Sequence, residues 1–160
     1  MSDKPRRAAP VARSAARLGA VQALYQMDLS GTDVGEVLAQ FSARASGEAF
    51  DDGDCGEADY KFLKEIVDGV VRQQRTLDLA LSELLDAGWP LARLDATVRA
   101  ILRAAAFELY FLEKVPARVA INEYVDVASA FFGDEERSFV NGVLDRMART
   151  RRPAEFGEPA

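Results

Sequence analysis

Apolar side chains recur along this chain at intervals of three, four and seven residues, the spacing of an amphipathic α-helix. The pattern is clearest from Pro116 to Met147, where it predicts two helices joined by an acidic turn at Gly133. Pro116 suits a helix start because a missing N–H costs nothing there, and Gly133 suits a helix end. The apolar faces of the two helices are Val119, Ile121, Tyr124, Val125, Ala128, Phe131 and Phe132, and then Phe139, Val140, Val143, Leu144 and Met147.

The same spacing predicts four further helices before Val115. Within the third, the polar section 72–76 is either an exposed bend or a part of the helix that projects past the core. The fourth is apolar on much of its circumference, so we expect it to lie centrally, with Asp95 as its N-cap. The four helices cover the ranges 11–29, 33–45, 58–87 and 95–112. The first is expected to bury the stripe Leu18, Val21, Leu24, Tyr25 and Leu29, with Arg13, Arg17 and Gln22 elsewhere around it.

The domain organisation follows from these elements and from the two ends of the chain. No convincing run of alternating apolar and polar residues occurs, so no strand is predicted. Residues 1–10 hold two prolines and three basic residues, which indicates a flexible basic arm. Residues 11–149 are predicted to form a single all-α domain of six to seven helices, and residues 150–160 a disordered tail.

The length and cysteine content agree with a cytoplasmic globular protein. At 160 residues, 49% of them apolar, the chain is long enough to bury a core of its own. A single cysteine, Cys55, excludes an internal disulfide and fits a reducing compartment. No apolar segment follows the early basic residues, and no apolar run reaches the length of a membrane span. We therefore expect the protein to be cytoplasmic.

Charge is distributed unevenly, although the net charge is −6. Residues 1–20 carry five basic side chains against Asp3 alone, whereas residues 31–59 carry eight acids against Arg44 alone. Arginine, whose planar guanidinium group suits phosphate and base recognition, outnumbers lysine sixteen to four. The composition therefore permits an RNA-binding face without requiring one, and the acidic segment 46–57 is expected to be a solvated loop.

Catalytic and metal-binding chemistry is poorly represented in the sequence. The chain has no histidine, which excludes histidine-based triads and argues against structural zinc sites and di-iron helical bundles. No glycine-rich phosphate loop of the Walker or dinucleotide type occurs. Glu123 and Asp126 lie one turn apart, but a solvated or capping pair is the stronger interpretation of them. We expect a protein that is not an enzyme and needs no cofactor or metal.

Three groups of residues are candidates for binding. Arg6, Arg7, Arg13 and Arg17 lead into the first helix, where they either follow a phosphate backbone or form a solvated basic end. Gly142 lies inside a helix, where glycine costs roughly 1 kcal/mol relative to alanine, so we expect a neighbouring helix or a ligand to approach its backbone. Arg99 and Arg103, four residues apart on the predicted central helix, either extend a basic groove or form a solvated face.

The most distinctive segments are ARLGAVQALYQMDLSG at 16–31, AILRAAAFELYFLEKVPARVAINE at 100–123, and FVNGVLD at 139–145. They resemble the first helix, the central helix with its following turn, and the C-terminal signature of the NusB family, the bacterial transcription antitermination factors. Together these segments extend from near the start of the chain almost to its end. The resemblance implies a fold of two small helical bundles packed together.

The resemblance also implies a function and the residues that perform it. The protein would bind boxA, a short single-stranded RNA element of nascent ribosomal RNA transcripts, together with NusE, a small-subunit ribosomal protein. The assembly would help the elongating RNA polymerase resist termination. The RNA-binding residues are then Arg6, Arg7, Arg13, Arg17, Gln22, Tyr25, Phe139, Asn141 and Gly142, and the partner-binding residues are Tyr25, Arg99 and Arg103. Residues 13–18, RSAARL, depart from the dense arginine cluster and glutamate that relatives often carry there.

Two other functions remain open at this point. A similar helical domain is attached to ribosomal RNA cytosine methyltransferases, but such a chain would continue into a large α/β domain, and this sequence reaches only Ala160. A helical protein-interaction module without an RNA role would tolerate deletion of the basic arm without losing a partner.

Overall fold

The computed structural model describes residues 9–47 and 57–157, and within them the chain is entirely helical apart from its connections. Arg6, Arg7, Cys55 and most of the acidic loop 46–57 lie outside the described residues. The all-α fold class predicted from the sequence is confirmed, with six α-helices in the described part of the chain. They are α1 (Ala9–Ser30), α2 (Val34–Gly47), α3 (Glu57–Ser82), α4 (Ala96–Phe111), α5 (Ala117–Phe131) and α6 (Asp134–Arg151).

The chain divides into two compact units, Met1–Asp68 and Gly69–Ala160, which agrees with the two helical bundles implied by the family resemblance. The helix α3 runs through the boundary. Its backbone leaves the helical region at Gln73, with φ −109° and ψ 16°. The polar section 72–76 is therefore a bend, and α3 ends at Ser82, five residues earlier than the predicted end of this helix.

In the first unit, the buried face of α1 combines three alanines with Val21 and Leu24 of the predicted stripe. Ala16, Ala20 and Ala23 are buried, whereas Leu29, expected in the buried stripe, is 58% exposed. A Cβ atom on Gly19 would lie 2.7 Å from Leu63 Cδ1, so the bare backbone of this glycine lets the Leu63 side chain of α3 pack closely against α1. The predicted stripe is confirmed at Val21 and Leu24 and wrong at Tyr25 and Leu29, because alanines occupy inward positions that the sequence reading did not assign to the core.

In the second unit, α4 lies in the core, as predicted, and packs against both α5 and α6. The side chain of Asp95 caps α4 by accepting hydrogen bonds from the backbone N–H groups of Thr97 at 2.8 Å and Val98 at 3.3 Å. Two turns of 3-10 helix, Leu91–Arg93 and Pro153–Phe156, precede α4 and follow α6. The buried residues of α4 include Ile101, Leu102, Ala104, Ala105, Glu108 and Leu109.

The apolar faces predicted for α5 and α6 are buried only in part. Ile121, Tyr124 and Ala128 of α5 are buried, together with Val140, Val143, Leu144 and Met147 of α6. Val119, Phe131 and Phe139 are exposed, contrary to expectation. Phe131 is the last residue of α5, beyond the buried part of the helix, and its ring is tilted by 53° against that of Phe132, with 6.3 Å between ring centroids.

The prediction of a disordered tail from residue 150 is wrong as far as Gly157. Arg152 is buried and donates hydrogen bonds to the carbonyl groups of Glu108, Leu109, Leu112 and Val115. These carbonyls lie at the C-terminus of α4 and in the following turn, where a helix leaves its acceptors unpaired. A single arginine therefore fastens the C-terminal segment to the core.

Glu155 completes this attachment at the start of α5. Its Oε1 accepts a hydrogen bond from the backbone N–H of Ala117 at 2.8 Å, and its Oε2 lies 3.1 Å from Nη1 of Arg152. The bond from the Ala117 backbone, assisted by Arg152, lowers the pKa of Glu155 below its usual value of 4.5.

Candidate nucleic-acid interface

An exposed face of α1 carries two of the residues expected to bind RNA. Gln22 and Tyr25 are three residues apart and both exposed, and Leu29 continues the same face one turn later. This face combines an amide, a phenol ring and an apolar side chain, which suits the edges and faces of nucleic-acid bases as well as a protein surface. The side chains of Gln22 and Tyr25 are therefore available for the contacts implied by the resemblance.

Arg13 and Arg17, the two described arginines of the basic arm, meet at one aromatic ring. Their guanidinium carbons lie 4.6 Å and 5.2 Å from the ring centroid of Phe62, so both are held by cation–π contacts. Arg13 is exposed and can present its outer N–H groups to a phosphate.

Arg17 was expected to lie away from the buried side of α1. This expectation is wrong, because the side chain is only 2% exposed. Its contact with Phe62 accounts for part of that burial. The RNA contact assigned to Arg17 from the resemblance stays a prediction, since the buried side chain would have to move to reach a phosphate.

In the second unit, Phe139 borders a groove of about 860 Å³ beside the N-terminal half of α6. Phe139 is 38% exposed and Trp89 is 61% exposed, so two aromatic rings border the groove and remain open to a ligand. Its other apolar lining residues are Leu84, Leu85, Leu94 and Val98, and its charged lining residues are Asp86, Arg93, Asp95, Glu135, Glu136 and Arg146. The groove has four carboxylates and only two arginines, so it disfavours phosphate. It suits a ligand that carries an apolar group next to a positive charge.

Asn141 and Gly142 follow Phe139 on α6 but do not line this groove. Asn141 is exposed, so its amide is available to a base or a partner. A Cβ atom on Gly142 would meet only Nη1 of Arg146, at 3.7 Å, which is an ordinary contact. Within the described part of the second unit, no atom of another helix lies within 4 Å of this position, so packing inside that unit does not explain the glycine. The approach of a ligand to Gly142 stays a prediction.

Arg99 and Arg103 are engaged inside the second unit rather than forming a solvated face. Nη1 of Arg99 donates to the carbonyl of Leu94 at 2.8 Å and lies near those of Leu91 and Ala92. Arg103 makes a bidentate ion pair with Asp78, with both N···O distances at 2.9 Å. Both arginines expected to bind a partner therefore hold the connection before α4 or the end of α3.

Sequence reasoning missed the aromatic wall that Trp89 adds to the groove. Trp89 was interpreted only as part of the helix stop Gly88-Trp89-Pro90. An exposed tryptophan beside a helix stop is itself a signal for recognition, because burying so large a ring normally stabilises a protein. None of the helices in the described part of the chain has the length and apolarity that crossing a bilayer requires.

Comparison with known proteins gives a consistent result. A model of the NusB family matches residues 14–149. The transcription antitermination protein NusB of Sinorhizobium fredii is 50% identical over 151 residues, which cover 94% of this chain and 94% of that protein. The structure of T. maritima NusB superposes with a TM-score of 0.76 at 25% identity, over 98% of this chain and 99% of that one. A crystal structure of the antitermination factors NusB and NusE in complex with double-stranded RNA matches with a TM-score of 0.72 at 29% identity, over 87% of this chain and 97% of that one.

Proposed function

Since this chain belongs to the NusB family, we propose that it is an RNA-binding transcription antitermination factor that acts together with NusE. It binds boxA-type single-stranded RNA in nascent ribosomal RNA transcripts, in the cytoplasm, and the assembly helps the elongating RNA polymerase resist termination. The contribution of the chain is assembly rather than catalysis. Two proteins that each make modest contacts with one RNA bind it more tightly than either does alone.

The observation that carries this proposal is the extent of the family match, which includes α1 from residue 14 onward and almost all of α6. Similarity to a solved NusB and NusE complex with RNA supports NusE and RNA as the partners here. The RNA in that complex is double-stranded, whereas the proposed target is single-stranded, so both forms belong in the test.

We assign the first RNA contact to the exposed side of α1. Arg13 supplies a cation that contacts Phe62, Gln22 supplies an amide, and Tyr25 supplies an exposed phenol ring for RNA or NusE. Arg6 and Arg7 would extend the same cationic stretch toward the N-terminus. Arg17 supports this surface through its contact with Phe62.

The second assignment concerns α6 and the acidic groove. Phe139 offers a face on which a base can stack, and Asn141 can read the edge of a base. The excess of carboxylates in the groove keeps phosphates outside it and favours a basic side chain of the ribosomal protein partner. Arg99 and Arg103 bond within their own unit, so their assignment to the partner surface stays a prediction.

Fluorescence anisotropy tests the proposal. A labelled boxA-type RNA, a scrambled RNA and a duplex of the boxA sequence are titrated with the full chain, with and without NusE, at two salt concentrations. Selective binding of the single-stranded boxA RNA that tightens with NusE supports the proposal. No binding of any RNA in the presence of NusE would contradict it and favour a protein-interaction module.

Arg13→Gln identifies the contribution of α1 in the same assay. The variant should bind boxA RNA more weakly and with a smaller dependence on salt, because one phosphate contact is lost. Arg72→Gln is the matched control, since Arg72 is also exposed on a helix and carries the same charge. Equal losses in the two variants would contradict the assignment of Arg13 and leave only a general effect of charge.

A further inference from the structure

Three exposed arginines surround two aromatic rings at the C-terminal end of α6. The guanidinium carbons of Arg118 and Arg149 each lie 4.7 Å from the ring centroid of Phe156. The guanidinium carbon of Arg151 lies 4.4 Å from the ring centroid of Tyr110, and its Nη2 donates to the Tyr110 carbonyl at 3.3 Å. We call Tyr110, Arg118, Arg149, Arg151 and Phe156 the arginine–aromatic surface.

The arginine–aromatic surface is held in place by the attachment of the C-terminal segment. Phe156 follows Arg152, whose buried guanidinium group is bonded to four carbonyls of the core. The 3-10 helix Pro153–Phe156 then sets the ring of Phe156 between α5, which carries Arg118, and α6, which carries Arg149. Cations on such a support lose little conformational entropy when they bind a ligand.

The surface is also a local exception to the negative charge of the chain. Asp145 pairs with Arg149 at 3.0 Å, and Glu155 pairs with the buried Arg152. Glu155 is offset by the buried Arg152, and Asp145 offsets one of the three arginines of the surface, so the surface has an excess of two positive charges in a chain whose net charge is −6. Arg118 and Arg151 are the exposed cations available to an anionic ligand.

We propose that the arginine–aromatic surface binds a second stretch of single-stranded RNA, outside the boxA element. A guanidinium group that lies over an aromatic ring has one face covered, while its N–H edge and its other face remain open. The edge can donate to a phosphate, and the open face can stack on a base. This inference rests on the proposed function, because it extends the length of RNA that the chain holds.

An acidic peptide is the competing occupant of the surface. Its carboxylates would use the same N–H edges, but it offers no flat aromatic face to stack on the guanidinium groups or on Phe156. Each of the three arginine–aromatic pairs offers the combination of phosphate donor and stacking face that a nucleotide can use. The geometry therefore favours RNA over an acidic protein segment.

The test compares three labelled RNAs by fluorescence anisotropy with the full chain. The first is the boxA-type RNA, the second is the same RNA extended at each end by about ten uridines, which is within the length that one single-strand site covers, and the third is the uridine stretch alone. The double variant Arg118→Gln/Arg151→Gln is compared with the matched control Arg72→Gln/Arg75→Gln, which removes two exposed charges from α3. Circular dichroism establishes that both variants keep their helix content.

We expect the extended RNA to bind about fivefold to tenfold more tightly than the boxA-type RNA, an effect the size of one stacked base and two phosphate contacts. Arg118→Gln/Arg151→Gln should lose this gain, and its salt slope with the extended RNA should fall by about 1.4 because two phosphate contacts are lost. Its binding of the short RNA should stay unchanged. The control variant should keep the gain.

Each contrary result has a distinct meaning. Equal affinity of the wild-type chain for the short and the extended RNA, or an equal effect of the two double variants, overturns the inference. Failure of the boxA-type RNA to bind contradicts the proposed function, whereas binding of the uridine stretch that depends on Arg118 and Arg151 would still support the surface. Loss of binding to a poly-glutamate peptide in Arg118→Gln/Arg151→Gln, with RNA binding unaffected, would assign the surface to an acidic protein and overturn the RNA inference.

Discussion

The hydroxyl group of Tyr124 on α5 donates a hydrogen bond to Oε2 of Glu108 on α4 at 2.5 Å, and both side chains are completely buried. The bond crosses the contact between two of the three helices that pack together in the second unit. A buried carboxyl group is costly unless it is hydrogen-bonded, so the phenol of Tyr124 helps to keep Glu108 inside this unit.

Tyr124→Phe should therefore destabilise the fold while leaving the ring in place. We expect the free energy of unfolding to fall by about 1–3 kcal/mol, the cost of a buried polar group that loses a partner. Urea denaturation at neutral pH measures the change. Tyr110→Phe, on a half-buried ring, is the control and should change stability by less than about 0.5 kcal/mol. Equal unfolding midpoints for Tyr124→Phe and the wild type would contradict a stabilising role for the bond.

Gly69 and Phe107 give the second prediction, because a Cβ atom on Gly69 would overlap the Phe107 ring. Phe107 is buried and stacks on Phe111 with 5.5 Å between centroids, so its ring has little room to move. Gly69→Ala should cost about 1–3 kcal/mol of stability through overpacking. Thermal unfolding should show a lower midpoint for Gly69→Ala than for Gly88→Ala, where no described atom lies within 4 Å of the added methyl. Matching midpoints would show that the core can accommodate the methyl.

The order and type of the helices could be predicted from the sequence because their signals are local. The apolar spacing predicts all six helices, and the position of Asp95 before an apolar run predicts the start of α4. The ring of Phe107 against Gly69 and the carbonyl contacts of Arg152 could not be predicted in this way. Each joins residues far apart in the chain, and an arginine in a polar C-terminal segment looks like a solvated residue until the carbonyls that it binds are known.

The sequence predicted which residues belong to the candidate site better than it predicted the contacts that surround them. The resemblance selected Tyr25 and Phe139, and both side chains are exposed. Arg17 and Arg103 were also selected, yet one is buried and the other is paired with Asp78. Periodicity assigns an arginine to a helix face but says nothing about the aromatic ring or the carboxylate that the fold brings to it.

Glu155 gives a prediction for the pH dependence of stability. Its pKa is lowered in the folded state, chiefly by the backbone N–H of Ala117. A lowered pKa means that the ionised form stabilises the fold above the usual pKa of 4.5, and that this stabilisation is lost as the pH falls through the folded-state pKa. Unfolding measured by urea at several pH values should show Glu155→Gln to be less stable than the wild type at neutral pH.

The difference between Glu155→Gln and the wild type should shrink as the pH falls below 4.5. Glu135→Gln is the control, because Glu135 is an exposed carboxylate in the first turn of α6. A difference for Glu155→Gln that stays constant from neutral to acidic pH would mean that the charge of Glu155 does not contribute and that only the shape of its side chain matters.

The substitution Gly142→Ala distinguishes an effect on the stability of the free protein from an effect on its binding. It lies within α6, and a methyl added there would meet only Arg146 Nη1, at 3.7 Å. Gly142→Ala should therefore raise the free energy of unfolding by about 0.4–1 kcal/mol, because alanine restricts the unfolded chain and favours the helix.

If RNA or NusE approaches the Gly142 backbone, the same substitution should weaken the complex while it stabilises the free protein. Urea denaturation and anisotropy with boxA RNA and NusE give the two results on one variant. Ala148→Gly, which should lower stability, shows what helix propensity and lost packing in α6 do to binding on their own. Stabilisation with unchanged binding in Gly142→Ala would exclude Gly142 from the interface. A ligand that packs against the bare backbone would clash with the added methyl group and bind more weakly.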